Sequence, residues 1–309
     1  MSWMETCRGV VYPWHCDQLG HMNVQHYVGH FDIAAFHFLA ELGFRADGKG
    51  DNGITLVDTA QAYRSSEATL GKALKNGYRE RCFLATKVSG KYGQADIETA
   101  IEDSLRALDV DYVDLYQIHG WNSEYPIEES METMAKVQAQ GKTRFIGVSN
   151  FNATQLQQAI QVTTFHSNQP RYNMFDRQIE DLDLSYCQEN GIGILAHSPL
   201  AKGLLTGKYT AGYQFPPDDE RSRYHRFQGD LFTRYLSIAE DLQEIAYQKK
   251  ATLVQLAIAW TLRQSAVTCV LVGAKNRVQL SDHVMAANLQ FTTQDLSQID
   301  EILKNSPND

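Results

Sequence analysis

The chain has 309 residues, 43% of them hydrophobic, and a formal net charge of −9. That length and apolar content suit a single barrel-sized globular fold with a sizeable core. The negative balance argues against nucleic acid or an anionic membrane surface as a general partner, so an anionic cofactor needs a local cluster of Lys and Arg.

In chain order, the first expected strand is Arg-Gly-Val-Val-Tyr-Pro at 8–13, with Pro13 at its end, where no ladder donor is lost. Residues 23–43 read as a helix. Val24, Tyr27, Val28, Phe31, Ala34, Ala35, Phe38, Leu39 and Leu42 recur at three- and four-residue spacing, with Asn23 as N-cap and Gly43 beyond the end. The stretch 45–52, with Gly48 and Gly50, reads as a flexible connection. Strands are then expected at 54–58, 82–87, 113–118, 144–148, 165–168, 192–196 and 268–272. Helices are expected at 66–76, 96–108, 127–139, 153–160, 177–189, 252–264 and 276–287, with two more near 230–248 and 294–303 outside the repeating pattern. Strands alternating with helices imply βαβ units, right-handed crossovers and a parallel sheet. A closed barrel of this kind needs an eighth strand, which 8–13 would supply by pairing in parallel with 54–58. The segment 209–229, long and polar, reads as a functional or mobile loop.

Polar, ionisable residues end successive apolar runs: Asp58 after Ile54–Val57, Lys87 after Cys82–Thr86, His119 after Val113–Ile118. Tyr63 follows five residues after Asp58. Carboxyl ends of parallel barrel strands are where such a fold keeps its site. A carboxylate, phenol, ammonium and imidazole gathered there make a proton donor for a carbonyl. Taken singly, each has an ordinary reading as a loop cap, a solvated strand end or a satisfied core histidine.

The strings Asp58-Thr59-Ala60-x-x-Tyr63, Thr86-Lys87, Gln117-Ile118-His119, Gly147-Val148-Ser149-Asn150-Phe151, the run Ser198–Tyr209 and Val272–Asn276 resemble the aldo-keto reductases, in that family's order, from about 51 to 303. The resemblance implies a (β/α)8 TIM-type barrel with an atypical first βα unit, and reduction of an aldehyde or ketone with NADPH, or the reverse oxidation. Tyr63 would be the acid, Lys87 would lower the phenol's pKa, Asp58 would hold Lys87, and His119 would orient the carbonyl. Ser149, Asn150 and Gln169 match positions that hold the nicotinamide carboxamide. His197 stands where an aromatic ring usually stacks on the nicotinamide. Ser198, Leu200, Lys202, Gly203 and Lys208 match the loop over the pyrophosphate. Gly273, Lys275, Gln279 and His283 match the adenosine end, Lys275 facing a 2′-phosphate; His283 replaces a usual Asn. No Rossmann glycine fingerprint is present.

The first part does not follow that family. Residues from Val10 to Asn23, with the apolar stretch behind them, resemble the opening of hotdog-fold acyl-CoA thioesterases, with Asp17 where those keep a carboxylate. The expected organisation is therefore a fusion or chimera. Residues 1–50 form a thioesterase-like strand–loop–helix segment standing in for the first βα unit, and 51–309 form the reductase barrel. Thioester hydrolysis by Asp17, or a barrel that holds cofactor with little turnover, are the rival expectations. His26 and His30 are four apart, but no second ligand pair follows at matching spacing, so no metal is expected. Cysteines 7, 16, 82, 187 and 269 show no paired spacing. With no membrane-length apolar run and no secretory-signal pattern, the expectation is a reducing, cytoplasmic setting, no membrane, no nucleic acid, and a small carbonyl compound as partner.

Overall fold

The computed structural model of the chain describes residues 33–36 and 56–307. Its strands are β1 (Ile33–Phe36), β2 (Leu56–Asp58), β3 (Phe83–Val88), β4 (Val113–Ile118), β5 (Thr143–Ser149), β6 (Ser167–Gln169), β7 (Gly193–His197) and β8 (Val267–Gly273). They form one sheet in the order β1-β8-β7-β6-β5-β4-β3-β2, every ladder parallel. β1 also lies against β2, which brings the sheet round into a nearly closed barrel. Parallel neighbours cannot be joined by a tight turn, so helices cross over between them. Between successive strands lie α1 (Ser66–Ala73), α2 (Gln94–Leu108), α3 (Ile127–Ala139), α4 (Ala153–Val162), α5 (Asp183–Glu189), α6 (Gly229–Gln248) and α7 (Leu253–Leu262), while α8 (Arg277–Val284) and α9 (Thr293–Leu303) follow β8. The barrel expected from the alternation is the fold observed.

Side-chain alternation along the strands separates two apolar clusters. Leu56, Ala85, Leu115, Leu195, Cys269 and Leu271 pack together with Phe83 and Phe145. The alternate positions, such as Val57, Leu84, Tyr116, Ile146, Ile194 and Val270, join the larger cluster with the helices. Each fully buried Leu or Ile contributes roughly 1.5–3 kcal/mol. Continuing the first set by twos reaches Asp58, Lys87, Gln117, His119, Ser149 and His197 at the carboxyl ends. The period of the strand thus delivers the polar residues to one mouth.

One expectation is corrected. The strand nearest the N-terminus is Ile33–Phe36, paired in parallel with β8, inside the stretch expected to be helical. Short apolar runs fit a helix and a strand equally well, and here the strand won. Residues 8–13, assigned that role from sequence, lie outside the described residues, as do Asp17, His26 and His30. The segment 209–229 is a largely exposed loop, as expected, but it also carries an aromatic cluster that the sequence reading did not single out. Tyr209, Tyr213, Phe215 and Phe227 stack on one another and on Phe232 of α6, with short helical turns at Glu220–Arg223 and His225–Phe227. No described helix is long and apolar enough to cross a membrane.

Candidate active site

Asp58 ends β2 and Lys87 lies in β3; both side chains are fully buried, with Lys87 Nζ donating to Asp58 Oδ2 at 2.5 Å. Lys87 also donates to the Thr59 carbonyl at 2.9 Å. The other Asp58 oxygen accepts from Gln169 Nε2 at 3.0 Å and from Gln117 Nε2 at 3.3 Å. Burial pushes the Asp58 carboxyl up and the Lys87 ammonium down, and their mutual attraction opposes both shifts. Removing either partner would strand an unpaired buried charge.

Tyr63 sits in the loop after β2, half-buried, with Lys87 Nζ 5.2 Å from its ring centroid. Its hydroxyl is 3.3 Å from Nε2 of His119, and the two rings meet edge to face. His119 is pinned at the end of β4 by its backbone N–H, which donates to the Val88 carbonyl at 3.0 Å. Contrary to the expectation that Lys87 lowers it, the Tyr63 phenol is raised above its ordinary value, by burial first and by the Asp58 charge second. Lys87 is tied to Asp58, so its field at the phenol is offset. Burial and Lys87 together lower His119 to about 4, which leaves its imidazole neutral near pH 7.

At the end of β5, Asn150 has φ 58°, a left-handed backbone that Asn tolerates better than most residues. Its Nδ2 donates to the His119 carbonyl at 3.3 Å and to Ser149 Oγ at 3.0 Å, so its Oδ1 faces His197 Nε2 at 2.9 Å. A carbonyl oxygen only accepts, so His197 carries its proton on Nε2, and Ser198 Oγ donates to its Nδ1 at 2.9 Å. Burial, Arg171 and then Lys87 lower His197 to about 3. Ser149 Oγ donates to the Gln169 carbonyl at 2.7 Å, which ties β5 to β6.

Beyond β7 the chain turns through a strained loop. Ser198, Ala201 and Lys202 have φ of 59°, 47° and 54° without being glycine, at roughly 1–3 kcal/mol each. At Gly203, φ is 106° and a Cβ would lie 3.1 Å from the Tyr209 ring, so glycine is required there. Lys202 donates to Glu220 at 2.6 Å, and Arg221 holds Asp219, Tyr209 and the Lys202 carbonyl. The aromatic segment is thereby fastened over this loop. On the far side, Asn276 caps α8 through the Gln279 N–H, and Gln279 Oε1 accepts from the Lys275 N–H at 2.7 Å. His283 is buried at 4% exposure, and its Nδ1 has no hydrogen-bond partner among the described residues.

A cleft of about 720 Å³ runs across these elements from Tyr63 and His119 to Lys275 and His283. Every sequence-predicted site residue lines it except Asp58 and Lys87, which form the buried pair beside it. Sequence reading missed Arg171 and Arg221 on its wall, and Gln117 and Ser89 in the hydrogen-bond network. Arg171 carried a readable signal, since it directly follows Gln169-Pro170; Ser89 carried another, two residues after Lys87 on the same side of its strand. Arg171, Lys202, Lys208, Arg221 and Lys275 line this cleft with one carboxylate, Asp282; Lys202 and Arg221 are paired outside it with Glu220 and Asp219, and the other three cations outnumber Asp282. That excess of cations in an acidic protein, with an unpartnered buried imidazole nitrogen at one end, fits an extended polyanion carrying a heteroaromatic group. Among the described residues no three His, Cys, Asp or Glu side chains gather as a metal site.

The aldo/keto reductase family model matches residues 49–304, and the chain belongs to that family. It is an oxidoreductase of a family that acts on small-molecule carbonyl compounds with nicotinamide cofactors. A thioesterase-like superfamily model matches residues 11–79. Among individual proteins, the chain is 38% identical over 272 residues to the aldo-keto reductase YhdN of Bacillus subtilis (strain 168), covering 84% of this chain and 82% of that one. Its structure is similar to that of a glycerol dehydrogenase from Gluconobacter oxydans, with TM-score 0.79 and 30% identity over 90% of this chain and 93% of that one. It is similar also to an aldo-keto reductase from Klebsiella pneumoniae in complex with NADPH, with TM-score 0.68 and 28% identity over 88% and 90%.

Proposed function

We propose that the chain reduces an aldehyde or ketone with NADPH, Tyr63 donating the proton. The observation that carries this reading is the approach of Tyr63 to His119, 3.3 Å apart, beside the buried Asp58–Lys87 pair at the cleft. Bound NADPH supplies the hydride. As negative charge grows on the carbonyl oxygen, the phenol gives up its proton there. A phenol raised by burial holds that proton until the oxygen demands it, and the Lys87 ammonium, 5.2 Å from the ring centroid, offsets the phenolate that remains. Asp58, with Gln117 and Gln169, keeps that ammonium in place. His119, neutral, steers the carbonyl with a ring N–H.

Ser149, Asn150 and Gln169 would hold the nicotinamide amide, with His197 beside it locking the Asn150 side chain. Ser198, Leu200, Lys202, Gly203 and Lys208 would cover the pyrophosphate, with Arg171 and Arg221 adding charge. Gly273, Lys275, Gln279 and His283 would take the adenosine end, and Lys275 at the start of α8 would read the 2′-phosphate. The presence of NADPH in the Klebsiella relative supports that choice of cofactor.

The domain reading stays a proposal: residues 1–50 are a thioesterase-like segment standing in for the first βα unit of the barrel. The superfamily match at 11–79 supports it. That match also runs through β2, Tyr63 and α1, elements that here belong to the barrel, which favours reduction over thioester hydrolysis.

Tyr63→Phe tests the function. Turnover is expected to fall by about a hundredfold or more, the scale of a lost general acid, while NADPH affinity is kept. An unchanged kcat would refute the role of Tyr63.

A further inference from the structure

A neutral imidazole carries one ring proton, and its neighbours decide which nitrogen holds it. His119 has two neighbours. Ser89 Oγ lies 2.8 Å from Nδ1, and the Tyr63 hydroxyl lies 3.3 Å from Nε2. In one arrangement Nδ1–H donates to Ser89, and the bare Nε2 takes the Tyr63 O–H. The phenol proton is then spent on the ring. In the other, the Ser89 O–H donates to Nδ1, and Nε2–H donates to the phenol oxygen. The ring then does not take the Tyr63 proton, and it sets an N–H beside the phenol oxygen.

The hydrogen-bond inventory favours the second arrangement. Among the described residues Ser89 Oγ has no other hydrogen bond, so among them its proton finds an acceptor only at Nδ1. The placement is specific. Ser89 follows β3 directly and lies two residues beyond Lys87, so it shares the interior side of that strand and reaches the ring from behind. The far side of the ring faces Tyr63.

We propose that Ser89 is a positioning residue, whose hydroxyl donates to Nδ1 of His119, holds the ring as the Nε2–H tautomer and so keeps the ring from taking the Tyr63 proton. The proposal rests on the reductase reading of the same site. It adds a residue that touches neither substrate nor cofactor and acts through the imidazole.

The test is nitrogen NMR of the full chain labelled at histidine, with the His119 ring signals assigned by their loss in His119→Asn. The unsubstituted chain is expected to show His119 protonated on Nε2, and Ser89→Ala to move the ring towards the Nδ1–H form. In steady-state assays Ser89→Ala should lower kcat by about tenfold at unchanged NADPH affinity, and Ser89→Thr, which keeps the hydroxyl, should recover it. The Nδ1–H form in the unsubstituted chain would overturn the proposal, whether or not any variant folds. So would a Ser89→Ala variant unchanged in tautomer and kcat, or a loss that Ser89→Thr does not recover. The tautomer is read without turnover, so it stands apart from the Tyr63→Phe test of the reductase reading.

Discussion

Asp58 and Lys87 neutralise each other inside the barrel, and the consequence falls on Tyr63. Its phenol is not made more acidic; burial and the Asp58 charge raise it above its ordinary value of about 10. His119 moves the other way, to about 4, so its imidazole stays unprotonated through the neutral range. The signs give a pH profile. The acid keeps its proton until pH exceeds the ordinary phenol value, and the imidazole stays neutral until pH falls near its lowered value. For reduction, kcat is therefore expected to stay level from pH about 5 to about 10, as read from steady-state rates at saturating substrate. A descending limb near neutrality would mean that another group donates the proton. At this scale the site was legible where one polar residue closes an apolar run, as at Asp58, Lys87 and His119. Ser89 and Arg171, each two residues beyond a site residue on its strand, carried a weaker signal, because a single hydroxyl or cation next to a strand end looks like ordinary solvated surface until the barrel closes around it.

Among the elements, α1 sets the Tyr63 loop, since it begins three residues later and Glu67 in its first turn accepts from Thr86 of β3 at 2.7 Å. At the other end Gly71 lets α1 meet the last turn of α2. A Cβ there would lie 2.5 Å from the Leu108 carbonyl oxygen and 2.8 Å from that of Ala107, both backbone atoms that cannot swing aside. Gly71→Ala is expected to cost a net 1 kcal/mol or so: overpacking at roughly 1–3 kcal/mol outweighs about 1 kcal/mol of gained helix propensity. Urea unfolding would measure it, and a stabilised variant would show that the two helices do not approach so closely. Bounds were most legible where pattern and punctuation agree. Residues 113–118 and 127–139 were read from sequence as the strand and helix observed. The strand at Ile33–Phe36 was hidden because Ala34 and Ala35 also fit the helical stripe read over 23–43. In 209–229 the Pro, Gly and Asp content masked four aromatic residues, spaced without regular period, that pack only because the chain folds back on itself.

For the whole molecule, a net charge of −9 and an anionic cofactor are reconciled by segregation: the cleft gathers Arg171, Lys202, Lys208, Arg221 and Lys275 on one face. The central claim is that this barrel, whatever the origin of its first fifty residues, holds NADPH in that cleft. Titration of the purified full chain with NADPH and with NADH, followed by quenching of protein fluorescence, tests it most directly. The expected result is saturable binding of one NADPH per chain, tighter than NADH by about tenfold, the worth of one well-placed charge contact on the 2′-phosphate. No saturable binding of either nucleotide would contradict the account.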